Sequence, residues 1–320
     1  MKAGILTFHR VNNYGAVLQN YALQRALEKC GCEAETIDYE CDYIERPYRF
    51  INLKTKGFKS YLMGVGGHIV YGFRGDKTRK FRKLLKLSPP LKRKDLDKLN
   101  GRYDIFIAGS DQVWNYKLSN FDHTYFLDFV KNPAQKASYA ASFGLDKIEK
   151  PYREEYKKML NNFQHLSVRE NTGAKIMEEL IGRKPTVVID PSMLLTEDEW
   201  CQVLEPPKYK HDYILVYQLG FCTSTLEFVQ QMAKRINSEV VCLPFPMGKF
   251  IPCHWGLTKG PAELLGLIKN AKYVVTSSYH GMMFSILFHK QFYVEIPSGI
   301  SQVKSRVEDV LSEFKLQNRI

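Results

Sequence analysis

Residues 3–39 read AGILTFHRVNNYGAVLQNYALQRALEKCGCEAETIDY, and this stretch decides the fold class. Residues 3–8 form a short apolar run that predicts a buried strand, and a polar turn follows it. Residues 16–29 place apolar side chains at helical spacing, and Gly31 supplies a helix stop. Residues 33–39 predict the next strand. A strand, a helix and a strand in this order indicate a parallel sheet, so the expected class is α/β.

The same alternation of strands and helices returns in the rest of the chain. With 320 residues, the protein exceeds the size at which a single core usually stops growing. A segment with two prolines at residues 205–210 reads as a linker. We therefore expect an N-terminal domain over residues 1–205 and a C-terminal domain over residues 206–320, both doubly wound, facing each other across a cleft.

The positive charge of the chain is concentrated in one insertion, residues 49–98, within the first domain. This stretch holds 15 Lys or Arg and 3 Asp or Glu, and its excess of +12 equals the formal net charge of the whole protein. A solvated surface explains such a segment as well as an anionic partner does: a phosphorylated substrate, a membrane surface or nucleic acid. A helix expected near residues 76–87 could lie on an anionic membrane or cover the protein's own core.

The cysteines and the apolar runs bear on localisation. Seven cysteines are scattered without a Cys-x-x-Cys pair, which argues against a disulfide framework and against a zinc site, so no metal is expected. The N-terminus shows no apolar signal core, and no apolar run approaches the ~20 residues that span a bilayer. We expect a cytoplasmic protein, with peripheral contact to the inner face of the membrane through residues 49–98.

Three junctions between a strand and a helix carry unusual chemistry, and the first follows the first strand. Ligands of open parallel sheets gather where strands end and helices begin. Here Asn13 and Tyr14 offer polar contacts, and Gly15 would allow a tight turn and a close approach to a ligand. The same residues also suit a simple turn with a helix N-cap. Alone, this signal is weak.

The second junction follows the apolar strand at residues 103–108. Ser110 and Gln112 offer hydrogen-bonding side chains, and Asp111 places a carboxylate at the end of the strand. Trp114 would wall the site or stack on a sugar ring. The alternative is that Trp114 belongs to the core and Asp111 caps a helix, but the mixed polarity favours a functional site.

The third junction reads TSSYHG at residues 276–281. Ser277 and Ser278 can donate to an anionic oxygen, and His280 would lie at the positive end of a helix, where it can give or take a proton near neutral pH. A fourth feature is Arg169, at the end of another strand, which could pair with a carboxylate or a phosphate. For Arg169 an internal pair with Glu170 or another surface residue is the more common outcome.

Taken together, these residues resemble the polysaccharide pyruvyl transferase family. The matching segments, in order along nearly the whole chain, are NYG at 13–15, LQNYAL at 18–23, GSDQVWN at 109–115, SVRE at 167–170, DPS at 190–192, SSYHG at 277–281, and Ser305 with Arg306. GSDQVWN and SSYHG are the more specific of these. The basic insertion has no counterpart in the pattern.

The resemblance implies two Rossmann-like domains arranged as in the glycosyltransferase-B enzymes. It also implies phosphoenolpyruvate as donor substrate, no cofactor, a sugar diol of a lipid-linked glycan as acceptor, and a pyruvate ketal as product. On this basis His280 would be the general acid, Arg169 would hold the donor, and Asp111 would accept a proton from a sugar hydroxyl. The expected binding residues are Asn13, Tyr14, Gly15, Ser110, Gln112, Trp114, Ser277, Ser278, Gly281 and Arg306.

Two other function classes stay open at this point. A glycosyltransferase that uses a nucleotide sugar would share the fold, but the sequence shows no clear pocket for a nucleobase and ribose. A non-catalytic protein that binds a membrane or nucleic acid through residues 49–98 is the other alternative. That segment lacks a nucleic-acid fold signature, so nucleic acid is not the expected partner.

Overall fold

A computed structural model describes residues 1–49, 72–209, 211–219, 223–243, 252–296 and 301–320. The chain divides into two compact units. Of the described residues, unit 1 contains 1–49 and 82–195, and unit 2 contains 72–81 and 196–320. The predicted domain boundary lay at residue 205, ten residues further along the chain. The helix at residues 72–82, α3, belongs almost entirely to unit 2, although the sequence assigned it to the first domain.

Unit 1 is built on a parallel sheet in the order β2-β1-β3-β4. The bridges Ala137↔His165 and Ala141↔Val168 continue the ladder toward a further parallel pair, β5 and β6. Because the chain leaves β1 toward one edge and β3 toward the other, the switch point of this sheet lies between β1 and β3. The strands are β1 Lys2–Leu6, β2 Glu33–Thr36, β3 Ile105–Ala108, β4 Lys136–Ser138, β5 Ser167–Val168 and β6 Thr186–Val187.

The helices of unit 1 cover this sheet and enclose an aromatic core. The α-helices are α1 Tyr14–Lys29, α2 Asp42–Arg49, α4 Tyr116–Ser119, α5 Arg153–Asn161 and α6 Asn171–Ile181. Short 3-10 helices lie at Arg93–Leu99, His123–Phe126, Pro133–Gln135, Lys150–Tyr152 and Pro191–Met193. Trp114, Phe143, Tyr156 and Phe163 are among the fully buried side chains of the core.

Unit 2 repeats the architecture with a parallel sheet in the order β11-β10-β7-β8-β9. Its strands are β7 Tyr213–Tyr217, β8 Glu239–Leu243, β9 His254–Trp255, β10 Tyr273–Thr276 and β11 Gln291–Val294. Its helices are α7 Glu197–Cys201, α8 Thr223–Ile236, α9 Pro261–Asn270, α10 Tyr279–Leu287 and α11 Ser301–Glu313, followed by a 3-10 turn at Gln317–Arg319. The switch point lies between β7 and β10.

These two sheets confirm the predicted fold class. Successive connections run in opposite directions from each switch point, and right-handed crossovers therefore place helices on both faces. Local sequence signals agree with the structure as well: Thr196 and Glu199 form a capping box at the start of α7.

Candidate active site

The carboxyl ends of β7 and β10 are tied together at the switch point of unit 2. Thr276 donates its hydroxyl to the carbonyl of Tyr217 at 2.6 Å, and Ser277 Oγ accepts the backbone N–H of Leu219 at 2.9 Å. Since its oxygen accepts this bond, the Ser277 hydroxyl still has its own proton to donate. These two hydrogen bonds fix the position at which α10 begins.

His280 lies in the first turn of α10 and is 8% exposed. Ser278 caps this helix, its Oγ accepting the N–H of Gly281 at 3.2 Å. A Cβ atom on Gly281 would lie 2.5 Å from Thr276 Oγ1 and 2.8 Å from Tyr217 Cδ1. Glycine is therefore required here so that α10 can approach the two strands closely, and this approach fixes the position of the imidazole.

Gln218 and Glu295 lie near this junction, and the sequence reasoning missed both. Gln218 follows β7 and donates through Nε2 to Glu295 Oε2 at 2.5 Å, and Glu295 itself follows β11. Burial raises the pKa of Tyr217, while its hydrogen bond with Ser278 and the positive charge of Arg74 act in the opposite direction. Gln218 and Glu295 could have been found by applying the strand-end rule to every strand; no local signal pointed to Arg74.

A second polar cluster occupies the carboxyl ends of the strands in unit 1. Arg169 Nη1 lies 2.9 Å from Asp190 Oδ2, and its Nε lies 3.7 Å from Glu170 Oε2. Ser110 Oγ donates to Asp190 Oδ2 at 3.1 Å. Arg169 is 6% exposed and Asp190 is fully buried. The guanidinium is thus already balanced by two carboxylates, as the internal-pair alternative anticipated, and this arrangement does not favour the expected role of Arg169 as donor ligand.

The position of Trp114 differs from the predicted one, at the wall of a sugar site. It is fully buried, its Nε1 donates to the carbonyl of Tyr125 at 3.2 Å, and its ring stacks on Phe126 with centroids 5.8 Å apart. The indole therefore belongs to the core of unit 1 and does not wall a sugar site. The sequence analysis interpreted Trp114 as a surface for a sugar ring because polar residues precede it. In the structure the chain enters the core of unit 1 again at this residue.

The first junction has the local structure of the alternative interpretation, a turn followed by a helix N-cap. Asn13 is the N-cap of α1, its Oδ1 accepting the N–H of Gly15 at 3.0 Å, which was the alternative interpretation of this segment. Gly15 is the second residue of the helix, so it does not form the tight turn that was expected, and Tyr14 is buried. That these three residues contact a ligand stays a prediction.

The remaining predicted residues lie in two places. Asp111 adopts a positive φ of 81° and its Oδ1 accepts the N–H of Gln112 at 2.8 Å. For a residue other than glycine this backbone is strained, and such strain concentrates at functional sites. Gln112 accepts from Asn115 Nδ2 at 2.9 Å, and Arg306 lies on α11, which packs against α10.

The structure thus brings Ser277, Ser278, His280 and Gly281 together in unit 2, and Ser110, Asp111, Gln112 and Arg169 to the sheet end of unit 1. That His280 and Arg169 share one cavity stays a prediction. The described residues contain no group of three or more side chains suited to hold a metal ion. Over the same residues, no helix combines the length and the apolarity that crossing a membrane requires.

One charged network in unit 1 was not anticipated. His9 Nε2 lies 2.7 Å from Asp38 Oδ1, and its Nδ1 lies 3.1 Å from the carbonyl of Thr7. Both partners are acceptor atoms, a carbonyl oxygen and a carboxylate oxygen. Arg10 bridges Asp38 at 2.8 Å and Glu40 at 2.9 Å. Burial alone would raise the pKa of Asp38, but the hydrogen bond from His9 and the charges of His9, Arg10 and Arg82 hold it below its ordinary value.

Comparisons with known proteins agree with the motifs. A family described as "Polysaccharide pyruvyl transferase" matches residues 13–295. No curated protein matches the sequence closely enough to count as a relative. Among solved structures, a putative UDP-N-acetylglucosamine 2-epimerase from Listeria monocytogenes is 12% identical with a TM-score of 0.49, covering 100% of this chain and 90% of its own.

Two further structures are similar at the same low level. The UDP-GlcNAc 2-epimerase of Neisseria meningitidis is 11% identical with a TM-score of 0.46, covering 100% of this chain and 94% of its own. The ADP-heptose heptosyltransferase II of E. coli is 11% identical with a TM-score of 0.41, covering 92% and 84%. At this level of likeness, none of the three assigns an activity to the chain.

Proposed function

Because the chain belongs to the polysaccharide pyruvyl transferase family, we propose that it moves pyruvate from phosphoenolpyruvate onto two hydroxyls of one sugar, forming a cyclic ketal. The observation that carries the proposal beyond the family is the position of His280. The imidazole is almost enclosed, it lies in the first turn of α10, and it follows Ser277 and Ser278 at the switch point of a parallel sheet. This is where such sheets bind anionic ligands.

The reaction needs one proton donor and one place for phosphate. His280 gives a proton to the methylene carbon of phosphoenolpyruvate, which becomes a methyl group and leaves a positively polarised carbon beside it. One sugar hydroxyl attacks that carbon and loses its proton, phosphate leaves, and the second hydroxyl closes the ring with loss of its own proton. One hydroxyl proton thus replaces the proton spent on carbon, the other leaves with phosphate, and no redox change occurs. A positioned acid of this kind contributes roughly 10²–10⁴-fold in rate.

The hydroxyl of Ser277 is suited to hold a donor oxygen, because its oxygen is fixed by Leu219 N–H and its proton remains available. Asp111 keeps its proposed role toward a sugar hydroxyl, since its strained backbone presents a partly exposed carboxylate at the end of β3. In this proposal Arg169 has a structural role, because it pairs with Asp190 and Glu170 near that strand end.

The acceptor that we propose is a lipid-linked glycan at an anionic membrane. The charges of Lys83, Lys86, Lys92 and Lys94 are exposed on unit 1, and each such residue near an anionic surface contributes about 1 kcal/mol of attraction. Co-sedimentation with anionic and with neutral vesicles tests this part of the proposal. If the protein sedimented equally with anionic and with neutral vesicles, the membrane would no longer be part of the proposal.

The reaction itself is tested by incubating the protein with phosphoenolpyruvate and a panel of glycans. Release of inorganic phosphate should require both substrates, and mass spectrometry of the glycan should show the added pyruvate as an acid-labile ketal. Nucleotide sugars serve as alternative donors in the same assay. Sugar transfer from one of them, with no phosphate release from phosphoenolpyruvate, would replace the proposal with a glycosyltransferase.

A further inference from the structure

Three polar residues form a row at the ends of neighbouring strands of unit 2. Gln218 follows β7, Ser277 follows β10 and Glu295 follows β11. The strand register continues to these residues, because Ser277 donates its backbone N–H to the carbonyl of Tyr217, and Glu295 donates its own to the carbonyl of Thr276. Residues in register on parallel strands direct their side chains to the same face of the sheet. The three polar side chains therefore share one face.

The row lies on the face of the sheet that α8 covers. Val216 and Val275, each two residues before a member of the row, belong to one buried cluster with Leu226 and Val229 of α8. Side chains two positions apart on a strand point to the same face. The row is therefore at the end of the face on which α8 packs.

The carboxylate of Glu295 is held by one neutral partner. Gln218 reaches past the end of β10 and donates through Nε2 to Glu295 Oε2 at 2.5 Å. Within the described part of the chain, the other oxygen, Oε1, has no hydrogen bond and the carboxylate has no ion pair. Gln218 is 6% exposed, whereas Glu295 is half-buried. The amide thus fixes the carboxylate and leaves Oε1 able to accept a hydrogen bond from a ligand.

Two aromatic rings adjoin this carboxylate on the same face. Tyr293 lies two residues before Glu295 on β11, at the edge of the described sheet. Its ring meets the ring of Phe228 from α8 edge to face, with centroids 5.7 Å apart and an angle of 82° between the planes. Tyr293 is 36% exposed and Phe228 is 46% exposed. This edge of unit 2 therefore presents two large rings to solvent next to a carboxylate.

A sugar suits this combination better than an anion or an apolar ligand does. Sugar hydroxyls donate hydrogen bonds to a carboxylate, which only accepts them, and the C–H groups of a sugar ring can pack on aromatic rings. The negative charge of Glu295 repels an anion, since no ion pair with a described residue offsets it. An apolar ligand would bury that charge without a hydrogen-bond partner.

We propose that Glu295, Tyr293 and Phe228 form a sugar-binding site of unit 2. The carboxylate accepts a hydrogen bond from a sugar hydroxyl, and the two rings contact the face of the sugar. Ser277 is the next member of the row, so a sugar bound here lies beside the hydroxyl that is suited to hold the donor. That the sugar belongs to the acceptor glycan rests on the proposed function; the sugar site does not.

Saturation-transfer NMR on the full chain, without donor, tests this site. The probes are the methyl glycosides of glucose, galactose, mannose and N-acetylglucosamine, and the wild type should bind at least one of them. Glu295→Gln should weaken that binding about ten-fold or more, because a charge-assisted hydrogen bond is lost while the size of the side chain is kept. Glu313→Gln makes the same change at an exposed carboxylate of α11, and its affinity should stay within about two-fold of the wild type.

The contribution of the rings is measured with the same probe. Tyr293→Ala removes one ring and should weaken binding about three- to ten-fold. Tyr293→Phe keeps the ring and should bind nearly as the wild type does. Matching thermal unfolding of all variants excludes misfolding as the cause of a loss.

The outcomes separate the sugar site from the reaction. Failure of the wild type to bind any of the four probes, or unchanged affinity in Glu295→Gln or Tyr293→Ala, would overturn the site. Sugar binding that depends on Glu295, together with no pyruvate transfer by the wild type, would keep the site and remove the reaction. Pyruvate transfer whose KM for the glycan is unchanged in Glu295→Gln would keep the reaction and contradict the assignment of the acceptor to this site.

Discussion

The two sheets end in the same way but differ in how their polar side chains are balanced. In unit 1, Arg169 is enclosed with Asp190 and Glu170, so its charge is satisfied within the protein. In unit 2, His280 is buried in the first turn of α10, directly after Ser277 and Ser278 in the chain, and the structure shows no ion pair at this strand end like that of Arg169 among the residues that it describes. The switch point is the place where such sheets bind ligands in both units, and the two units differ in how the charges there are balanced.

The energetic consequence is opposite for the two clusters. Removing one partner from a buried ion pair leaves an uncompensated charge and costs several kcal/mol of stability. Removing a catalytic acid costs rate and leaves the packing nearly unchanged. Substitutions of similar size should therefore act on stability in unit 1 and on turnover in unit 2.

The largest expected effect belongs to His280. His280→Gln should lower kcat by ~10²–10⁴-fold with little change in KM for the donor, since the lost interaction is made in the transition state. Steady-state phosphate release measures both constants. His254→Gln, an exposed histidine in the same unit, is the control and should behave like the wild type. Near-normal turnover in His280→Gln would contradict the assignment.

The next effect is on stability and concerns Asp190. Asp190→Ala leaves the Arg169 guanidinium buried without its 2.9 Å partner, and should lower the free energy of unfolding by about 3–5 kcal/mol. Urea unfolding, followed by tryptophan fluorescence, measures this loss. Asp97→Ala, an exposed carboxylate of unit 1, should change it by less than about 0.5 kcal/mol. Stability equal to the wild type would mean that Arg169 is not held as described and is available to a ligand.

The smallest effect depends on pH and concerns Asp38 in unit 1. Its pKa is depressed in the folded protein, so its ionised form contributes stability above its ordinary pKa, and that contribution is lost as the pH falls through the folded value. Asp38→Asn should therefore be less stable than the wild type at pH 7. The difference between them should shrink below about pH 4.

Unfolding curves at several pH values measure this difference. Asp97→Asn serves as the control, and its difference from the wild type should be small at every pH. A deficit of Asp38→Asn that stays constant down to pH 3 would mean that the carboxylate charge is not the stabilising feature. In that case the residues around His9 would stabilise unit 1 through packing and not through the charge of Asp38.

The sequence predicted the architecture well because strands, helices and caps depend on near neighbours. The strand-helix-strand start, Gly31 in a left-handed turn with φ of 79°, and the capping box at Thr196 all follow from residues within a few positions of each other. The parallel order of the strands then follows from the length of the connections.

The candidate site was predicted less completely, because the roles of its residues depend on contacts between residues that are far apart in the sequence. Asp190 lies 21 residues after Arg169, and this pairing turned a candidate ligand into a structural ion pair. Trp114 showed the same limit, since burial of a side chain is a property of the assembled core.

The contact between Lys77 and Glu263 spans 186 residues, and synthesis imposes a delay on it. At roughly 5–20 residues per second, α3 leaves the ribosome about 10–40 s before its partner helix exists. During that interval the ammonium group of Lys77 lacks the carboxylate that it pairs with in the folded chain. The packing of α3 on unit 2 is therefore completed only after α9 has been made.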